Sequence, residues 1–311
     1  MPPRVRRWFT EATEQDPCWT ADQLREAKRS TTVSVVLPAL DEEETVGAVV
    51  TELRPLLGGL VDELVVMDSG STDRTPEIAA AAGARVVRRT DVLPELDPRP
   101  GKGEVLWRSL AATSGDLVVF IDSDLVDFDS SFVPSLLGQL LTRAGTHLVK
   151  GFYRRPLRLG SEEAGTGGGR ITELLARPLL STLRPELSGV VQPLGGEYAA
   201  SREFLESVPF AAGYGVEIGL LLDAHARHGL DALAQVNLGV RKHRNRSLLE
   251  LGVTARQILG AALPRCGVDA AADPAGITQF LQLGGRWLPS ETGVLVADRP
   301  PMREVRAARS A

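Results

Sequence analysis

Along the first half of the chain, short apolar runs alternate with longer segments of helical spacing. Val33 to Leu37, in "VSVVLPAL", form a continuous β-branched run stopped by Pro38. This is the pattern of a strand buried on both faces. "DEEETVGAVVTELRPLL" follows, with Val46, Val49, Val50, Leu53 and Leu57 at helical spacing behind an acidic start, which predicts a helix. The rhythm repeats. "ELVVMD" predicts a strand, "SGSTDRTPEIAAAAG" a turn and a helix stopped by glycine, and "ARVVRR" a third strand. "GKGEVLWRSLAATSG" predicts a helix and "DLVVFID" a fourth strand. The order β-α-β-α-β-α-β predicts an α/β fold with a doubly wound, Rossmann-like, mostly parallel sheet.

The rhythm loosens after residue 155. "RLGSEEAGTGGGR" is a glycine-rich loop, "ITELLARPLLSTL" is helical, and "GVVQPLGGEYAASREFL" reads as strand, loop and helix. "GYGVEIGLLLDAHARHG" is a helix closed by Gly229, "DALAQVNLGVRKHRNR" a strand entering a basic tail, and "LLELGVTARQILGAALPRC" a further helix. This divides the chain into a polar, irregular N-terminal extension (1–31) with Trp8, Phe9 and Trp19 as anchors, an α/β half (32–155), a second half (156–265), and a weakly patterned tail (266–311), partly disordered at its end.

Composition narrows the function. The 311 residues are 43% hydrophobic, enough for a sizeable core, and carry a net charge of −5, which argues against a general nucleic-acid binder. No apolar run approaches the ~18 residues that span a bilayer. The basic N-terminus is followed by no apolar segment, so it makes a poor signal peptide. Cys18 and Cys266, the only cysteines, lie far apart without metal spacing, which fits a reducing cytoplasm.

Candidate chemistry gathers where strands end. In open α/β sheets, ligands sit beyond the carboxyl ends of the strands, and three such ends bear acids: Asp41-Glu42, Asp68 to Asp73, and Asp122-Ser123-Asp124. In extended chain, residues i and i+2 face the same side, so Asp122 and Asp124 can address one ligand. Two adjacent carboxylates repel unless neutralised, and a divalent cation with hard oxygen ligands, Mg2+ or Mn2+, does that. The alternative is one helix cap and one solvated acid. For "DSGSTD", helix capping and ligand contact are equally open. His225 and His228, at i and i+3, fit an ordinary surface helix better than a zinc pair, since no further ligand has suitable spacing.

"VVLPALDEEETV", "VMDSGSTDRT" and "VVFIDSDL" resemble the nucleotide-sugar half of a GT-A type glycosyltransferase. "RPGKGEVLWRSL", "GGGRITELLARPLL", "VQPLGGEYAA", "GYGVEIGLLLDA" and "VNLGVRKHRNR" extend the resemblance to the actinobacterial glucosyl-3-phosphoglycerate synthases, over roughly residues 30–265. The resemblance implies a metal-dependent enzyme with a GT-A nucleotide-sugar-binding domain and a smaller C-terminal acceptor-binding part. Its reaction moves glucose from UDP-glucose to 3-phosphoglycerate with retention, towards glucosylglycerate and methylglucose lipopolysaccharides. It also implies a cytoplasmic homodimer that uses Mg2+ or Mn2+.

Residue roles follow from the matching motifs. The resemblance implies that Pro38, Ala39, Leu40 and Glu42 line the uridine pocket with Ser69 beside it, and that Gly101-Lys102-Gly103 approaches the nucleotide. Asp124 and His243 match the metal contacts, with Asp122 and Ser123 towards the ribose and sugar. Gly169, Arg170, Thr172 and Asn245 match acceptor contacts, and a helix start with an arginine suits an anion. Tyr214 and Glu217 match the donor-sugar side, and Arg241 is placed to stabilise the departing diphosphate. The resemblance implies a front-face route with the Leu194 carbonyl near the anomeric centre.

Two rivals share the pattern. One is another enzyme of this architecture, such as a mannosyl-3-phosphoglycerate synthase, with a GDP-linked donor. The other, of a different class, is an inactive nucleotide-sugar-binding module.

Overall fold

The computed structural model describes residues 1–154, 157–159, 162–164, 169–240, 247–269 and 276–310; for 157–159, 162–164 and 310 it describes the backbone alone. In chain order the elements begin with α1 (Pro3–Ala12), β1 (Thr13–Glu14), α2 (Ala21–Lys28), β2 (Val33–Ala39) and α3 (Val46–Leu53). Then come β3 (Glu63–Asp68), α4 (Thr75–Ala82), β4 (Arg85–Arg88), α5 (Lys102–Ala112), β5 (Leu117–Phe120) and α6 (Phe132–Thr142). The second half holds β6 (Leu148–Arg154), β7 (Leu157–Leu159), β8 (Glu162–Ala164), α7 (Arg177–Leu183), β9 (Tyr198–Ser201), α8 (Arg202–Ser207) and α9 (Val216–His228). It closes with β10 (Leu233–Val240), α10 (Leu248–Arg265), β11 (Gly276–Leu283), β12 (Arg286–Gly293) and α11 (Met302–Ser310).

One eight-stranded sheet takes strands from both halves, in the order β1-β10-β6-β9-β5-β2-β3-β4. All neighbours are parallel except β9, which runs antiparallel to both β5 and β6. β4-β3-β2-β5 is the doubly wound order, and its switch point lies between β2 and β5. The β2–β5 ladder ends at Val36 and Phe120, whereas β2 stays paired with β3 as far as Ala39 and Asp68. The chain after β5 therefore separates from β2 and opens a crevice. Ser123 Oγ bridges its base, donating to the Pro38 carbonyl at 2.7 Å.

Several segments differ from the expectation of the sequence. The helix expected from residue 41 begins at Val46, because Asp41 is left-handed (φ 54°) and its carboxylate accepts from Thr72 N at 2.7 Å. The strand expected at "GVV" is loop, and the strand of that region is β9. The N-terminal extension holds two helices rather than irregular chain. Trp8 is buried and donates to the Leu233 carbonyl at 2.8 Å, Trp19 packs on Gly138, and Phe9 packs against the core, so all three aromatic anchors are real.

The described residues of the tail are held by polar anchors that hydrophobic spacing does not reveal. β11 and β12 pair as an antiparallel hairpin, and α11 packs on α8 and α5. Between them, Arg299 forms a bridge with Phe210 and donates to Glu104 at 2.6 Å, and Trp107 Nε1 donates to the Pro300 carbonyl at 2.8 Å. Glu104 also accepts from the fully buried Arg108. Burial opposes the charge on Glu104, but the two guanidiniums outweigh it and hold the carboxyl below its usual range.

Candidate active site

Two loops, after β2 and β3, form one side of the crevice. Past β2, Ala39 is buried and Leu40 is exposed. Ser69 N donates to the Ala39 carbonyl at 2.9 Å, which sets Ser69 beside the pocket-lining run. Glu42 N donates to Thr75 Oγ1 at 2.7 Å and Asp41 N to Ser71 Oγ at 3.0 Å. Asp73 accepts from Glu43 N at 3.1 Å and from Thr75 N at 2.9 Å, and Asp68 accepts from Ser71 N at 3.0 Å. "DSGSTD" thus acts as a turn that staples the β3 end to the β2 end. The carboxylates do the stapling, so the turn reading is realised whatever ligand contact adds.

The centre of the site is an ion cluster. Lys102, the first residue of α5, donates to Asp122 Oδ1 at 2.5 Å and lies 2.8 Å from Glu217 Oε1. Glycines make this approach possible. A Cβ on Gly101 would lie 2.8 Å from Gly213 Cα, and one on Gly103 would lie 1.9 Å from the Ala211 carbonyl oxygen. "GKG" therefore packs backbone to backbone against residues 211–213. These precede α9 and deliver Glu217 in its first turn. Tyr214 is held in that turn by its N–H, which donates to Gln257 Oε1 at 3.0 Å. Burial disfavours the Lys102 charge, but Asp122 and Glu217 outweigh it and raise its pKa well above the ordinary lysine value.

This refines the argument from paired carboxylates. Lys102 neutralises Asp122, so the pair is not balanced by a cation alone, and Lys102 is engaged by two acids rather than standing as a free point charge. Asp124, two residues on, is partly exposed at the same strand end. Among the described residues no group of three His, Cys, Asp or Glu could hold a metal ion. His243, Arg241 and Asn245 lie outside the described residues. The donor chemistry on hand, a partly exposed carboxylate at the strand end with a diphosphate supplying further oxygens, fits Mg2+ or Mn2+.

The turn at 194–196 seats on the ion cluster. A Cβ on Gly196 would lie 2.3 Å from Asp122 Oδ2 and 2.8 Å from Lys102 Nζ, so Leu194 sits directly before a glycine pair seated on the ion cluster. Arg177 links this region to the segment that begins at Gly169: it donates to the Val191 carbonyl at 2.9 Å and pairs with Glu173 at 2.9 Å. Gly169 is left-handed (φ 76°), helical structure begins at Arg170, and Thr172 is buried. Residues Thr172–Ala176 form a π-helical turn, with Arg177 N donating to the Thr172 carbonyl. Pro178 enforces this, since it has no N–H for the Leu174 carbonyl.

Three further residues belong to the site: Lys150 on β6, Glu197, and Tyr198 on β9, all buried. Lys150 donates to the Gly195 carbonyl at 2.6 Å and lies 4.5 Å from the centre of the Tyr198 ring. The signal was present in the sequence as a single charge inside an apolar strand, "HLVKGF".

The family model for glycosyl transferase family 2 matches residues 34–156. A glucosyl-3-phosphoglycerate synthase of Mycolicibacterium smegmatis is 61% identical, over 96% of this chain and 98% of that protein. One of Mycobacterium tuberculosis is 58% identical, over 95% of this chain and 93% of that protein. The chain belongs to the glucosyl-3-phosphoglycerate synthases. The fold agrees: a crystal structure of the Mycobacterium tuberculosis synthase with Mn2+, UDP-glucose and phosphoglyceric acid superposes with a TM-score of 0.87 at 57% identity, over 95% of this chain and 99% of that one. Another, with Mg2+ and UDP, also gives 0.87 at 57% identity over the same shares. The fold is therefore of GT-A type, as the sequence predicts.

Proposed function

We propose that this enzyme transfers glucose from UDP-glucose to 3-phosphoglycerate with retention, releasing UDP. The observation that carries the reading is the Asp122–Lys102–Glu217 cluster beneath the Leu194-Gly195-Gly196 turn, at the switch point of a sheet shared with the family. Carboxylates that a lysine neutralises can accept hydrogen bonds from sugar hydroxyls without excess charge building up under the leaving diphosphate.

The roles divide by loop. Pro38, Ala39, Leu40, Glu42 and Ser69 hold the uridine. Asp122, Ser123, Tyr214 and Glu217 orient ribose and glucose, and Lys102 keeps Asp122 and Glu217 together. Gly169, Arg170, Thr172 and Asn245 take the acceptor's carboxylate and phosphate. Residues 32–155 thus serve the donor and 156–265 the acceptor. Asp124 and His243 would hold Mg2+ or Mn2+, which supplies positive charge to the diphosphate, and Arg241 adds to it. The Leu194 carbonyl stands at the anomeric centre, and no residue acts as a covalent nucleophile. Catalysis is then chiefly positioning and electrostatic stabilisation of UDP.

The molecule works in the cytoplasm as a homodimer. Phe280, Leu283, Trp287 and Leu288 on the β11–β12 hairpin, with Leu248 and Leu249 of α10, expose large apolar side chains that a second copy would cover. Free cysteines accord with the cytoplasm.

The test is product identity with UDP-glucose, GDP-glucose or GDP-mannose as donor and 3-phosphoglycerate as acceptor. Glucosyl-3-phosphoglycerate formed fastest from UDP-glucose supports the reading. Preference for GDP-mannose, or no product from any donor, overturns it.

A further inference from the structure

We propose that Lys150 is a positioning residue for the transfer: its buried ammonium holds the Leu194-Gly195-Gly196 turn against the sugar-binding carboxylates through the Gly195 carbonyl. The inference rests on the glucosyl-transfer reading above.

The turn has little stiffness of its own, because two of its three residues are glycine. Glycine is required at both. A Cβ on Gly195 would lie 2.8 Å from the Gly151 carbonyl oxygen, and one on Gly196 would strike Asp122. Its orientation must therefore come from hydrogen bonds to the sheet, and three contacts supply it, of which Lys150 alone is a donor from the sheet. Val191 N donates to Gln235 Oε1 at 2.9 Å, Gln192 Nε2 to the Tyr153 carbonyl at 2.5 Å, and Lys150 Nζ to the Gly195 carbonyl at 2.6 Å. The first two act at the start of the segment. Lys150 acts one peptide past Leu194, where the transfer takes place.

A neutral donor would satisfy one carbonyl at less cost than a buried lysine. The charge has a purpose in its surroundings. Glu217, Lys102, Glu197 and Asp122 all act on Lys150 electrostatically, and the Tyr198 ring lies beside it. These groups come from α9, α5, the start of β9 and the end of β5. Lys150 thus grips the turn from beneath, while Asp122 and Lys102 meet it at Gly196. Burial, with Lys102 adding to it, overcomes the carboxylates and pulls the Lys150 pKa down to about 8. The grip is full at neutral pH and weakens in mild alkali.

The experiment compares wild type with Lys150→Met and Lys150→Arg, in Mg2+. Calorimetric titration with UDP reports the nucleotide site, and steady-state turnover of UDP-glucose and 3-phosphoglycerate reports the transfer. Lys150→Met is expected to bind UDP within about twofold of wild type while kcat falls about a hundredfold, the loss that follows misplacement of a reacting centre by about 1 Å. Lys150→Arg restores about a tenth or more of the wild-type kcat, since it restores the cationic donor. Wild-type kcat/KM for UDP-glucose falls above a pH of about 8 while UDP affinity holds. In Lys150→Arg that alkaline limb is gone.

A Lys150→Met kcat within about twofold of wild type, or equal losses of UDP binding and turnover, overturns the assignment and leaves the functional reading intact. Should Lys150→Met not fold, the wild-type profile decides, and a flat kcat/KM from about pH 7 to 10 overturns it. A wild type that makes no product refutes the functional reading itself, and Lys150's role with it.

Discussion

Lys102 donates to Asp122 at 2.5 Å, joining the first turn of α5 to the tip of β5. The same ammonium reaches Glu217 on α9, so one side chain binds three elements. Removing it leaves a buried and a half-buried acid without their shared cation. Lys102→Met is expected to cost about 3 kcal/mol of stability and to lower kcat about a hundredfold or more. Chemical denaturation and UDP-release kinetics check both effects. A stable, active variant would show that the cluster is incidental.

Gly196→Ala tests the seating of the turn with a single methyl. Its Cβ would lie 2.3 Å from Asp122 Oδ2, and Asp122 is itself held by Lys102. Neither can yield without breaking the ion pair. Overpacking of this kind costs about 1–3 kcal/mol. Turnover should fall by more than about tenfold while circular dichroism stays native.

Arg170 stands at the helix start that follows the left-handed Gly169. As the proposed oxyanion contact for the acceptor, it is expected to control one Michaelis constant. Arg170→Ala should raise the KM for 3-phosphoglycerate by about tenfold or more and leave that for UDP-glucose near its wild-type value. Equal rises in both would contradict the assignment.

Lys150 also leaves a mark on stability. Its pKa is about 8 in the fold against an ordinary 10.5. Between these values the unfolded chain binds a proton that the folded chain does not, so this group makes stability rise with pH across that window. Lys102, raised above 10.5, acts in the opposite sense and only above that value. Lys150→Met should therefore lose ground relative to wild type as pH climbs from about 8 to about 10. Urea midpoints at several pH values measure it.

Much of this was legible in the sequence. The β2-to-β5 rhythm was written in uninterrupted apolar runs, because parallel strands buried on both faces admit little else. The acids at the strand ends were legible as a cluster, but Asp41, Asp68 and Asp73 are engaged in turn hydrogen bonds that their spacing did not separate from ligand contact. Three things were not. β9 enters the sheet antiparallel as a four-residue strand, too short for periodicity to reveal. The C-terminal strap is fixed by Arg299, Glu104 and Trp107, long-range polar contacts with no local pattern. Lys102's partnership with Asp122 and Glu217 depends on two glycine loops meeting, and no spacing in the chain encodes that.

The central claim, metal-dependent glucosyl transfer to 3-phosphoglycerate, is tested most directly by following product mass with chelator-stripped enzyme, UDP-glucose and 3-phosphoglycerate, before and after Mg2+ is restored. The account predicts no glucosyl-3-phosphoglycerate until the metal returns, then rapid formation. Full-rate synthesis in the stripped enzyme, or none after Mg2+ or Mn2+ is added, would contradict it.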